Sequence, residues 1–252
     1  MIYDYLIAPF ADFGFMRRAL VASLALSIGG SSIGVFLILR RMSLMGDAMS
    51  HAILPGAAIG FLLSGLSLFA MTAGGLIAGF VVAVLAGLVA RATELKEDAS
   101  LAAFFLLSLA VGVTIVSMRG TNLDLMHVLL GTVLAVDVPA LILIVAIASI
   151  VIAGLALIFR PVALQSLDPA FLRGMGGSES AYRAVFLVLV VLDLVAAFQA
   201  FGTLLAGVPL LLPAAAARCW TQRIAPLVCL SIGFGMVASY AGLLVSYHLN
   251  VP

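Results

Sequence analysis

Charge is what this chain has least of. Only 9% of its 252 residues are Asp, Glu, Lys or Arg, and 65% are hydrophobic. An ordinary soluble domain carries about 25% charged residues, enough to cover its surface. So little charge fits a chain whose solvent is largely lipid, where the backbone must satisfy itself in helices or a closed barrel. The formal net charge of +1 supplies no basic field, which excludes an electrostatic nucleic-acid binder. Cysteine is scarce too. Cys219 and Cys229 lie outside any CxxC or zinc-ribbon spacing and read as small apolar fillers of packed helices. No G-x-x-x-x-G-K-S/T motif occurs, so any energy must come from a partner or an ion gradient. No H-E-x-x-H occurs either, which removes the ligand set an intramembrane metalloprotease would need. Met1–Phe15 carries Asp4 and Asp12 and lacks a basic segment followed by an apolar core, so no cleavable signal is expected.

What is present is a series of long apolar runs. A hydrocarbon core of about 30 Å takes about 20 apolar residues per helix. Ala19–Leu39 makes one span. Ala52–Ala90 is long enough for two, with Ser64-Gly65-Leu66-Ser67 as the turn. Ala99–Met118 and Val138–Phe159 follow. Ala184–Ala217 is interrupted only by Asp193 and is a tight fit for two, turning at Gln199–Gly202. Ile224–Tyr247 closes the count at eight, predicting an all-α polytopic helix bundle in a single transmembrane unit, residues 1–252. Residues 1–14 read as amphipathic, and Leu123–Val136 is short enough to be re-entrant. The clustered Gly29, Gly30, Ser31, Ser32 and Gly34, and the pair Gly75 and Gly79, allow close helix approach.

Lys and Arg then set the orientation. Alternate loops hold Arg40, Arg41, Arg91, Lys96, Arg160, Arg173, Arg183, Arg218 and Arg223, against Arg17, Arg18 and Arg119 on the other side. The richer side is expected in the cytoplasm, with both termini outside.

The chemistry concentrates in Arg40-Arg41-Met42-Ser43-Leu44-Met45-Gly46-Asp47-Ala48-Met49-Ser50-His51-Ala52-Ile53-Leu54-Pro55-Gly56. Asp47 and His51 are four apart and share a helix face. An ionisable group at the start of an apolar segment is costly unless it meets water, a partner or a cation. Carboxylate oxygen beside imidazole nitrogen suits Zn²⁺, Mn²⁺ or Fe²⁺ better than Mg²⁺ or Ca²⁺. Pro55 removes a backbone hydrogen bond and predicts a kink in this helix. The alternative is an ion pair at a helix entrance, favoured by the local dipole. Met42, Met45 and Met49 could suggest Cu(I), but methionines at helical spacing are ordinarily packing. Asp193 is a candidate intramembrane polar site or an interhelical hydrogen bond. His127 and His248 are expected near the outer face.

The longest basic-side loop, Arg160–Arg183, contains a capped helix. Asp168 is a good N-cap, Pro169 suits the first turn, and Gly174, Gly176 and Gly177 end it. Such a helix is either a docking knob for a soluble partner or an ordered loop.

At these residues the sequence resembles the metal-import permeases of ATP-binding cassette transporters, which serve zinc, manganese and iron uptake. Four stretches carry the resemblance across nearly the whole chain. They are Arg41–Gly56, with its G-D-A-x-S-H-A-x-L-P-G pattern; Asp124–Val136; Leu167-Asp168-Pro169-Ala170-Phe171; and Gly202–Leu205 through Leu212–Arg218. The resemblance implies a permease homodimer, two cytoplasmic ATPase subunits, and an external metal-binding protein that delivers the ion. It implies that Asp47 and His51 line the path of the transported divalent ion, with no permanently bound cofactor. It also implies a coupling helix in which Asp168, Pro169, Phe171, Leu172 and Gly174 dock on the ATPase. Gly207-Val208-Pro209 departs from the smooth aliphatic run the family leads one to expect and adds a second kink before Pro213. A stand-alone ion-coupled transporter using Asp47, His51 and Asp193 is the competing reading, although no internal repeat supports it.

Overall fold

The computed structural model describes residues 5–42, 45–65, 67–93, 97–118, 136–167, 169–174 and 179–249. Among them the backbone is helical, with no strand. The helices are α1 (Ala8–Asp12), α2 (Gly14–Leu39), α3 (Met45–Ala52), α4 (Leu54–Ser64), α5 (Leu68–Ala92), α6 (Glu97–Met118), α7 (Val138–Leu167), α8 (Pro169–Gly174), α9 (Glu179–Leu205), α10 (Val208–Arg218) and α11 (Ile224–Leu249).

Among the described residues, six stretches are long and apolar enough to cross a membrane: Gly14–Leu39, Met45–Ser64, Leu68–Ala90, Val138–Leu167, Ser180–Gly202 and Ile224–Leu249. Two shorter apolar helices, Ala99–Ile115 and Val208–Arg218, bring the set to eight. The turn after α4 falls where the sequence places it. Gly65 takes φ +65°, which only glycine adopts without penalty, and the Ser67 hydroxyl caps the next helix at the Ala70 N–H.

The second paired segment breaks at the end of the expected turn. Gln199 is still helical, the backbone leaves the helix at Gly202 with φ +71°, and a short further piece runs to Leu205 before turning at Ala206–Gly207. The proline run sets where the next helix starts. Pro209 has no N–H to lose in a first turn, so Val208-Pro209 starts α10 where a kink was expected. At 1.5 Å per residue the 11 residues of α10 reach about 16 Å, half a bilayer core.

Helix α2 is the axis of the bundle and touches α7, α9, α10 and α11. It can do so because its packing face is backbone. A side chain at Gly34 would strike the Leu210 carbonyl of α10. Gly56 and Gly74 bring α4 and α5 together in the same way, and Gly75 and Gly79 seat Ile53 and the valines of α9. Lipid supplies no hydrophobic drive between helices, so close contact and polar links must hold them. Ser27 and Ser239 meet at 2.8 Å, Ser231 donates to the Ser31 carbonyl, and Gln199 donates to Thr72 at 2.9 Å. Elsewhere α5, α7 and α11 turn large apolar side chains outward, among them Ile77, Leu88, Ile142, Leu157 and Val237, as lipid-facing helices should.

The ends of the bundle sort by charge. Arg40 reaches Gln165, and Met42 and Met45 share a recess with Ala86, Leu101 and Arg183, so the basic ends of α2, α5, α6, α7 and α9 lie together. At the opposite end Arg18 donates to the Val136 carbonyl, and His248 lies against Tyr5. Residues 5–14 do not cross. The five-residue α1 packs Phe10 against Tyr240 of α11. The stretch suspected of re-entry lies, except for Val136, outside the described residues.

Candidate functional site

Asp47 and His51 stand on the eight-residue α3. Before it, Arg41 at φ +58° reverses the chain at the end of α2. After it, Ile53 keeps helical torsions (φ −73°, ψ −29°) and α4 follows at once with Pro55 in its first turn, so the proline marks only a slight lapse within one span, Met45–Ser64. The Ser50 hydroxyl donates to the carbonyls of Gly46 and Asp47, tying the first turn of α3 to its last.

The two side chains have opposite surroundings. Asp47 keeps 62% of its side-chain surface open, whereas His51 keeps 7%. His51 Nε2 lies 4.0 Å from Asp47 Oδ1, too far for a hydrogen bond and close enough for both to contact one cation. The imidazole is held by an edge contact with Phe105 of α6, ring centres 5.0 Å apart. Its Nδ1 is buried and has no hydrogen-bond partner. A buried polar atom left without a partner is costly, and costs of this kind collect at functional sites. The arrangement offers a nitrogen and an oxygen at one opening. Among the described residues, no group of three or more His, Cys, Asp or Glu comes together that could hold a metal.

Helix α10 begins against α3. Gly207 packs on the Gly46–Asp47 backbone, and Leu210 and Leu211 cover Gly46. The N-terminus of α10 therefore packs on the backbone at the start of α3.

Asp193 is not part of this opening. It is 2% exposed, wedged against Gly29 and Gly30 of α2 under the backbone of Leu210, and its Oδ1 has no partner. The glycines are there because a side chain at either would meet the carboxylate. Met45 and Met49 are packed in the core. His248 is exposed, with Nε2 2.9 Å from the Tyr5 carbonyl. His127 and Asp168 lie outside the described residues. The short helix of the long loop does form, from Pro169 to Gly174, with Leu172 buried and Phe171 exposed. Cys219 and Cys229 are free and exposed, so they do not fill the bundle as expected; the helix faces that carry them point outward.

Three partners escaped the sequence. Phe105 carries no signal among many apolar residues of α6. Gln199 could have been found, since an amide inside an apolar run needs an interhelical partner. The grip of Arg40 on α7 could not, because it joins residues 125 apart.

The chain matches the model of the ABC 3 transport family over residues 12–252. It is 35% identical to the manganese import system permease protein ScaB of Streptococcus parasanguinis over 240 residues, 95% of this chain and 84% of that one. It is also 35% identical to the manganese transport system membrane protein MntC of Halalkalibacterium halodurans over 241 residues, 95% of this chain and 81% of the other. Among solved structures, PsaBC from Streptococcus pneumoniae in complex with Fab superposes with a TM-score of 0.87 at 31% identity, covering 100% of this chain and 89% of that one.

Proposed function

Because the chain belongs to the ABC 3 transport family, we propose that it moves a divalent transition-metal ion, manganese first, through a path that Asp47 and His51 line. It is a permease subunit of an ABC metal importer, a multi-pass protein of the bacterial inner membrane and not an enzyme in its own right. The named activity of the relatives supports manganese; the mixed oxygen and nitrogen donors are equally compatible with zinc or iron. One observation carries the path. Near the start of the span Met45–Ser64, an exposed carboxylate stands 4.0 Å from an imidazole whose second nitrogen is unpartnered.

The ion is cargo and is held only in passing, with no permanent cofactor. Remaining ligands come from water or from a second copy of the chain, which would also shield Asp47 from lipid. ATP is hydrolysed by a separate pair of ATPase subunits docked on α8, where exposed Phe171 makes contact and buried Leu172 anchors the helix. Pro169 and Gly174 bound that helix, and Asp168 stands immediately before it. An external metal-binding protein delivers the ion to the opposite face. Asp193 serves as a polar fixture between α2 and α9.

Uptake of each metal, measured with membrane abundance, tests the pair. Asp47→Ala and His51→Ala should each abolish uptake at normal abundance, and the double variant should be no worse, because one ligand set fails as a unit. A structural ion pair predicts otherwise. Neutralising both members, Asp47→Asn with His51→Gln, would then restore folding and function. Uptake surviving in that variant at normal abundance would falsify the ligand role.

A further inference from the structure

We infer that Arg40 is the positioning residue through which movement of α8 reaches the ion-pair helix α3. The inference rests on the reading of α8 as the ATPase-docking helix and of Asp47 and His51 as the ion's path.

Arg40 caps α2 and holds two other helices at once. Its Nε donates to Ser166 Oγ at 3.1 Å and its Nη2 to Gln165 Oε1 at 2.8 Å, both on the last turn of α7. Its guanidinium carbon lies 4.5 Å from the ring centre of Phe186 on α9. Gln165 is only 7% exposed, so the bond to it is shielded from water. A guanidinium can bond in its plane and stack on its face together, which an ammonium cannot. The three attachments therefore fix the end of α2 relative to the helices on either side of α8.

Sequence position gives this grip its reach. Gln165 and Ser166 stand just before Pro169, where α8 begins, and α8 packs on both α7 and α9. On the other side, Arg40 is five residues from Met45, where α3 begins. Between them Arg41 is held at φ +58°, a conformation L-residues avoid, and its amide is bonded to the Ile38 carbonyl. The Met42 amide donates to the Leu37 carbonyl of α2, and the Met42 carbonyl accepts from the Met45 amide of α3, so the bend is bonded to both helices. Met42, Met45, Ala86 and Leu187 line one recess at its far end. A shift of α8 that drags α7 must carry Arg40 with it, and so tilt α3.

The test uses the assembled importer in lipid vesicles, with ATP hydrolysed and Mn²⁺ moved measured on the same sample. Arg40→Lys keeps the charge and loses the fork. It should leave hydrolysis within about twofold and lower Mn²⁺ moved per ATP by about tenfold, the worth of one charge-assisted hydrogen bond. Gln165→Leu severs the same link from α7 and should give the same fall. Adding Gln165→Glu to Arg40→Lys rebuilds a charge pair and should recover the ratio to within about threefold. An unchanged ratio in both single variants at normal abundance overturns the inference. Parallel loss of hydrolysis and transport also overturns it, since that marks failed assembly. Inserting glycines between Pro169 and Leu172 separates the two readings. If the insertion uncouples hydrolysis from transport while Arg40→Lys does not, only the Arg40 link falls; if the insertion is silent, the docking role of α8 falls.

Discussion

Among the described residues, two carboxylates lie inside the long apolar spans, Asp47 and Asp193, and the fold treats them in opposite ways. Asp47 is open, sits in the first turn of α3 and has an imidazole 4.0 Å away. Asp193 is sealed in the middle of a long helix, with two glycines of α2 shaped around it. A charge at bilayer depth is expensive, so neither is accidental. The difference teaches that intramembrane polarity alone does not define one role: accessibility separates the two carboxylates.

The largest expected effect sharpens this contrast. Asp47→Asn should cut uptake by at least about a hundredfold at normal abundance, as loss of a charged ligand does. Asp193→Asn keeps the shape and should hold uptake within about threefold. Metal-uptake assays on the two variants decide it. If Asp193→Asn is as severe as Asp47→Asn at normal abundance, both carboxylates lie on the path and the contrast collapses.

A smaller effect tests the packing around the sealed acid. Gly34→Val drives a side chain into the Leu210 backbone and should cost about 3 kcal/mol, seen as lowered abundance and thermal stability in detergent. Near-normal stability would mean that α2 and α10 part easily. The smallest concerns the polar tie of α5 to α9. Thr72→Val removes the acceptor of the Gln199 amide and should cost about 0.6 kcal/mol, with uptake almost unchanged. A large loss of uptake there would give Gln199 a role beyond holding helices together.

Much of this architecture was legible because lipid leaves the chain few choices. Apolar run lengths give the spans, Gly65 and Ser67 give the turn, and the basic residues sort the ends. The break at Gly202 fell at the end of the predicted turn. Gln199 looks like a loop residue and yet stays helical, because Thr72 of another helix satisfies its amide. The closeness of Asp47 and His51 was legible from a spacing of four on one helix. Their unequal exposure was not, because burial of His51 depends on Phe105 of another helix. The outward-facing cysteines show the same limit: composition says that a thiol is apolar, not which way its helix face points.

The packing of α10 on the start of α3 ties two elements together with almost no side chain between them. A side chain at Gly207 would press on the Gly46–Asp47 backbone, and Leu210 and Leu211 close over Gly46. Displacement of α10 is therefore passed to the backbone that carries Asp47, because close-packed contacts transmit strain and do not absorb it.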